Sequence, residues 1–173
     1  DKIMMDPTSG NTGVAYAMIG AALGYEVELV MPANASQQRK DIAHAFGARI
    51  IFSSAMEGSD GAIRLARKIY QENPSKYFMP DQYNNPFNPQ AHYDTTGVEI
   101  WQQTQKKVTH FVATLGTSGT VMGTTRRLKD YHANIYCVGC QPADALHGLE
   151  GLKHMPSSIV PGIYKEEILD EVI

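Results

Sequence analysis

Apolar and polar positions along the chain switch repeatedly between a strand-like and a helix-like period. Ile3 to Met5 read as a strand, and Gly13 to Leu23 are apolar almost all round, as in a helix buried between layers, with Gly24 as its stop. Glu26 to Met31 follow as a strand. Ser36 is placed to cap a helix over Gln37 to Phe46, Gly47 closes that helix, and Arg49 to Phe52 read as a further strand. A third helix over about Ser59 to Glu72 sets Ile63, Ala66 and Ile69 on one face and ends at Asn73-Pro74. Tyr77 to Met79 form a short strand, after which DQYNNPFNP breaks regularity and marks the best domain boundary. Beyond it come a helix from about Gln90 to Thr104, the strand HFVATL, the loop GTSGT, a helix to about Tyr131 and the strand NIYCVGC. The tail from Gln141 to Pro161 is irregular, and LDEVI closes on a strand-like pattern. Strand and helix alternating at this spacing predict an α/β fold whose parallel sheets are covered on both faces.

Ligands of such sheets sit beyond the carboxyl ends of the strands, where loops enter helices. Two loops carry suitable chemistry. Gly116 to Thr120, GTSGT, follow an apolar strand and open a helix, so glycines free the backbone to wrap an anion while N–H groups and hydroxyls supply donors. A phosphate suits it; taken alone, the loop also reads as an ordinary glycine-rich turn. Thr8 to Gly13, TSGNTG, hold the equivalent place on an earlier strand and suit a carboxylate, with Asn11 adding an amide that both donates and accepts. Neither loop matches GxGxxG, and no GK[ST] follows, which argues against dinucleotides and nucleoside triphosphates.

Bulk properties narrow the picture further. The net charge is −3 with no basic run, so the electrostatic footprint of a nucleic-acid or anionic-membrane binder is missing. Two cysteines in 173 residues are too few for a disulfide scaffold and point to a reducing compartment, the cytoplasm. Cys137 and Cys140 form C-x-x-C on an apolar strand with no second ligand pair, which reads as core thiols rather than zinc or a redox dithiol. The histidines show no HExxH or paired metal spacing, and His92 reads as structural; no metal is expected. Met18 and Met31 read as core packing.

Three long motifs in register, TSGNTG, DQYNNPFNPQAHYDTTGVEIW and THFVATLGTSGTVMG, resemble the cysteine synthase (O-acetylserine sulfhydrylase) family, especially its B-type branch, over almost the whole chain. The resemblance implies an α/β three-layer sandwich with parallel sheets, the tryptophan-synthase-β-like fold of pyridoxal-phosphate enzymes, here incomplete. Residues 1–87 would be most of the small mobile domain and 88–173 part of the large one, with sheet edges and apolar faces left open. It also implies roles. Asn11 would bond the 3-hydroxyl of pyridoxal 5'-phosphate, and Gly116, Thr117, Ser118, Gly119 and Thr120 its phosphate. Thr8, Ser9, Gly10, Thr12 and Gln82 would bind the α-carboxylate of the substrate.

The family's Schiff-base lysine lies in an S-x-K-x-R motif upstream of TSGNTG, and nothing here matches it, Lys2 being in the wrong context. The serine that faces the pyridine nitrogen lies beyond the last residue. The resemblance therefore assigns no catalytic residue to this chain and implies that the isolated chain is inactive. Relatives that use O-phosphoserine carry a basic residue in the segment aligned with GLKHMPSSIVPGIY, where Lys153 and His154 stand. Lys153 is a candidate for a substrate phosphate, although an isolated charge of this kind more commonly reads as a solvated lysine on a mobile loop.

The implied activity is cysteine biosynthesis: β-replacement of O-acetylserine, or a close analogue, by sulfide or thiosulfate to give cysteine or S-sulfocysteine. A cystathionine β-synthase-like or serine/threonine dehydratase activity is the rival within the fold, and NNPxNPxxHYxTTGxEIW fits the synthases better. A non-catalytic piece that binds ligand or partner is the rival of another class. The family further suggests a homodimer and a partner in the C-terminal tail of serine acetyltransferase.

Overall fold

The computed structural model describes residues 2–173, which divide into two compact units, Asp1–Asp81 and Gln82–Ile173. In the first unit, strand β2, Val27–Pro32, is buried along its whole length, which suits the middle of a sheet. It pairs in parallel with β1, Ile3–Pro7, and with β3, Arg49–Ser53. The two-residue β4, Tyr77–Phe78, pairs in parallel with the other side of β1, giving the order β3-β2-β1-β4. Helix α1, Asn11–Leu23, and helix α2, Gln37–Ala45, cover one face: Ala17 and Ala43 pack on Val27, Leu29 and Met31. Helix α3, Gly58–Glu72, covers the other, where Ala62 and Ala66 meet Met5 and Val30.

Two expectations change here. Helix α1 is buried on one stripe only, through Gly13, Ala17 and Gly20, while Met18, Ile19 and Leu23 are exposed. Small residues set the spacing: a Cβ at Gly20 would collide with Val27, so the helix backbone approaches the sheet closely there. Ser36 does occupy the N-cap of α2, but its side chain makes no capping bond. The turn before it is held instead by Ala35 N–H on Pro32 O, 3.0 Å, and Lys40 Nζ on Ala33 O, 2.7 Å.

One charge lies in the buried strand. Glu28 accepts from Tyr77 Oη at 2.7 Å and from Arg49 Nε at 2.9 Å, and Arg49 also reaches Glu26. Lys76 Nζ donates to the Tyr77 hydroxyl at 2.8 Å, so the carboxylate is enclosed by donors.

The second unit holds the parallel sheet β5-β6-β7, made of His110–Thr114, Tyr136–Cys140 and Glu171–Val172. The single helix expected near Gln90 to Thr104 is two: α4, Phe87–Asp94, and α5, Thr96–Gln103. They break at Thr95, whose hydroxyl bonds back to Ala91 O at 2.7 Å, competing with the helical ladder. The break brings Gly97 against the helix α6, Gly119–Tyr131, where a Cβ would lie 2.6 Å from Arg127 Cβ. Leu115, Val121, Met122 and Met155 form one core cluster, and Leu128, Ile135 and Cys137 another beside Ile100 and Trp101.

Candidate functional site

The first unit offers its carboxyl-end loops at a reversal of strand order. Strands β2 and β3 build outward on one side of β1 and β4 lies on the other, so the switch point falls between β1 and β4. The loop after β1 is TSGNTG. Thr8 is 2 % exposed, and its Oγ1 accepts the N–H groups of Gly10 and Gly13, both at 3.2 Å. Its hydroxyl thus braces the loop internally, and a Cβ at Gly13 would lie 2.5 Å from Thr8 Cγ2. Gly10, the N-cap of α1, has no side chain to cap the helix, and Thr8 takes the Gly13 N–H of the first turn in its place, while Ser9, Gly10 and Thr12 are half-buried and Asn11 is exposed on that turn. This helix start, although Thr8 takes the Gly13 N–H, carries the positive end of the helix dipole and favours a negatively charged group.

Two residues that sequence reading missed support this loop. Asp6, fully buried at the end of β1, accepts the Asp81 N–H at 2.9 Å, which ties the loop after β4 to β1 and holds Asp81 at φ 54. Arg39 of α2 lies along the loop, with Nη1 3.5 Å from the Ser9 carbonyl. A lone acid before a proline and a lone arginine in a polar helix carry no motif that would single them out.

The second unit holds GTSGT between β5 and α6. Ser118 stands at the N-cap in the left-handed region, φ 69, and is 3 % exposed. Its hydroxyl donates to the carbonyl of Thr117 next to it and does not cap the helix. Gly116 backs onto the carbonyl of Gly151 and Gly119 onto the side chain of Asn88, each too close for a Cβ. Thr117 is half-buried and Thr120 exposed. Glycine backbone on a helix start with no side-chain cap, flanked by hydroxyls, fits a phosphate monoester.

Neighbouring side chains order these hydroxyls. Asn88 Nδ2 lies 3.3 Å from Thr117 Oγ1 and 2.9 Å from the carbonyl of Gln82, a residue that is itself buried. His92 Nε2 lies 3.2 Å from Thr120 Oγ1, and burial lowers its pKa from the ordinary histidine value. Their signal was present in NPQAHY, but spacing alone did not reveal which loop they face.

Lys153 departs from the solvated lysine that an isolated charge suggests: it is 3 % exposed. Its backbone N–H donates to Leu115 O at 2.8 Å, drawing the segment onto the strand end, and its Nζ lies 5.5 Å from the Tyr83 ring centroid. Cys137 and Cys140 are free thiols on β6: Cys137 is buried, with its pKa raised by desolvation, as a core thiol should be, whereas Cys140 is only half-buried. No helix among the described residues is long and apolar enough to cross a membrane.

Comparison with known proteins identifies the family. Residues 1–172 match the family described as pyridoxal-phosphate dependent enzyme. The chain is 57 % identical to a cysteine synthase of Aquifex aeolicus over 172 residues, covering 99 % of this chain and 53 % of that protein. It is 42 % identical to cysteine synthase B of Escherichia coli over 171 residues, covering 99 % and 55 %. The crystal structure of cysteine synthase (OASS) from Entamoeba histolytica superposes with a TM-score of 0.87 at 38 % identity, over 99 % of this chain and 52 % of that one. The chain spans about half the length of the curated relatives it matches. The α/β fold with parallel sheets is therefore that of the tryptophan-synthase-β-like enzymes, and the chain belongs to the pyridoxal-phosphate dependent enzyme family.

Proposed function

We propose that this chain supplies the phosphate-binding and carboxylate-binding segments of a cysteine-forming enzyme. That enzyme replaces the β-substituent of O-acetylserine, or a close analogue, with sulfide or thiosulfate, giving cysteine or S-sulfocysteine. The observation that carries the reading is the start of α6, where Ser118 leaves the N-cap without a side-chain bond and Gly116 and Gly119 leave no room for a Cβ. Pyridoxal phosphate, when bound, supplies an electron sink for chemistry next to the substrate's amino group.

The chain's own residues bind and orient. Gly116 to Thr120 hold the phosphate through backbone N–H groups and hydroxyls. Asn11 serves the ring hydroxyl; Ser9, Gly10, Thr12 and Gln82 serve the carboxylate, with Thr8 keeping the first loop in shape. Lys153 holds a buried positive charge for an anionic substituent or sulfur donor, a role supported by its burial beside Tyr83. The family resemblance extends the proposal to a cytoplasmic homodimer that docks the tail of serine acetyltransferase.

Titration of the chain with pyridoxal 5'-phosphate and with pyridoxal tests the assignment. The phosphate form is expected to bind at least about tenfold more tightly, since charge-assisted bonds at the loop are worth about 1.5–3 kcal/mol. Equal affinities would overturn it. Because no S-x-K-x-R lysine is matched, binding without turnover is expected, and cysteine formed from O-acetylserine and sulfide by the isolated chain would refute that part.

A further inference from the structure

Asn88 bonds with one nitrogen to the two segments assigned to different ligand groups. Its Nδ2 donates to the backbone carbonyl of Gln82 at 2.9 Å and to Thr117 Oγ1 at 3.3 Å, using both amide hydrogens. Its other end packs against Gly119, where any Cβ would overlap the Asn88 side chain. The side chain is itself fixed from below. The Asn88 N–H donates to Asn85 O at 3.1 Å, and Asn85 Oδ1 accepts the Phe87 N–H at 2.9 Å, so the first turn of α4 is pinned.

The donor direction matters. Because Thr117 Oγ1 accepts from Asn88, its own hydroxyl hydrogen is left to donate elsewhere, which suits an anion at the GTSGT loop. Any shift of that loop pulls on Asn88, and through Asn88 on the main chain of Gln82. We propose that Asn88 is a positioning residue that couples the phosphate loop to the carboxylate-binding Gln82 segment, so that an anion at GTSGT strengthens binding of the amino-acid carboxylate. The inference rests on the proposed function for the identity of the two ligand groups.

The test uses the full chain with inorganic phosphate and O-acetylserine as probes, titrated singly and together by calorimetry. In the unaltered chain, saturating phosphate is expected to tighten O-acetylserine about 5-fold, and O-acetylserine to tighten phosphate by the same factor, as linkage requires. Asn88→Ala is expected to reduce the factor below about 2-fold. Thr117→Val, which keeps the side chain's shape and removes the acceptor, should do the same, and Thr117→Ser should retain the coupling. Thr117→Val and Thr117→Ser carry the comparison if Asn88→Ala fails to fold. Phosphate and O-acetylserine binding independently in the unaltered chain, or a full coupling factor surviving in Thr117→Val, would overturn the inference alone. Failure of the unaltered chain to bind phosphate would overturn the assignment of the loop as well.

Discussion

His92 stands between two threonines, with Nε2 3.2 Å from Thr120 Oγ1 and Nδ1 2.9 Å from Thr96 Oγ1. A neutral imidazole satisfies both hydroxyls with one donor and one acceptor, and burial disfavours the charged form. The folded-state pKa is depressed, so the unfolded chain takes up the proton first as pH falls below the ordinary value of 6.5. The contribution to stability is complete above that value and is lost as pH falls through the folded pKa. An NMR titration of the His92 ring should show a midpoint below 6.5, and His92→Gln should flatten the loss of stability across that interval. A midpoint at or above 6.5 would contradict the burial argument.

Asp6 is expected to govern the path of the chain out of β4. Asp6→Ala leaves the Asp81 N–H without its acceptor and should cost about 1–3 kcal/mol in urea denaturation. Asp6→Asn keeps an oxygen that can accept and should cost less. Equal losses would show that the bond to Asp81 is not the source.

Two glycines should fail for different reasons. A Cβ at Gly123 meets the carbonyl of Pro89 and lies 2.8 Å from His92 Cβ, so Gly123→Ala should force α4 and α6 apart at about 1–3 kcal/mol. At Gly24 the space is open but φ is +76°, and Gly24→Ala should cost about 1 kcal/mol through the backbone alone. Amide hydrogen exchange separates them: Gly123→Ala should expose α4, whereas Gly24→Ala should affect only the end of α1.

Asp170 links β7 to its neighbours. Lys129 Nζ at 2.7 Å and the Cys137 N–H at 2.7 Å hold its carboxyl below the usual carboxylate range. A depressed pKa gives stability that is present above the ordinary value and lost as pH falls through the folded one. Asp170→Asn should therefore lower the melting temperature at pH 7, by the equivalent of about 1 kcal/mol for a partly exposed pair, and the difference should shrink in acid. A difference that persists undiminished in acid would argue against the ionic contribution.

The elements were legible where period and punctuation agreed. Gly24 and Gly47 end helices with φ of 76° and 80°, as their positions after apolar runs imply. The break at Thr95 was not legible, because the apolar period continues across it and the competing bond from Thr95 to Ala91 is a local choice of one hydroxyl. Burial of Lys153 was equally hidden: its sequence neighbours are ordinary loop residues, and the contacts that enclose it come from Leu115 and Tyr83, far away in the chain. The candidate loops could be read from composition, but Asn88 and Asp6 act through partners 29 and 75 residues away, which no local pattern encodes.

The carboxylate of Glu28 has a consequence for how the first sheet finds its alignment. Without Glu28 the strand VELVMP would be apolar throughout and would tolerate sliding past its neighbours, since no face would be marked as outward. Sliding it by one residue would carry the lone anion away from Arg49 and Tyr77 and strand it among hydrocarbon, a far worse state than the paired one. Glu28 thereby serves as an index mark, selecting one alignment of β2 with Arg49 of β3 and Tyr77 of β4 from several that hydrophobicity alone would leave nearly equal.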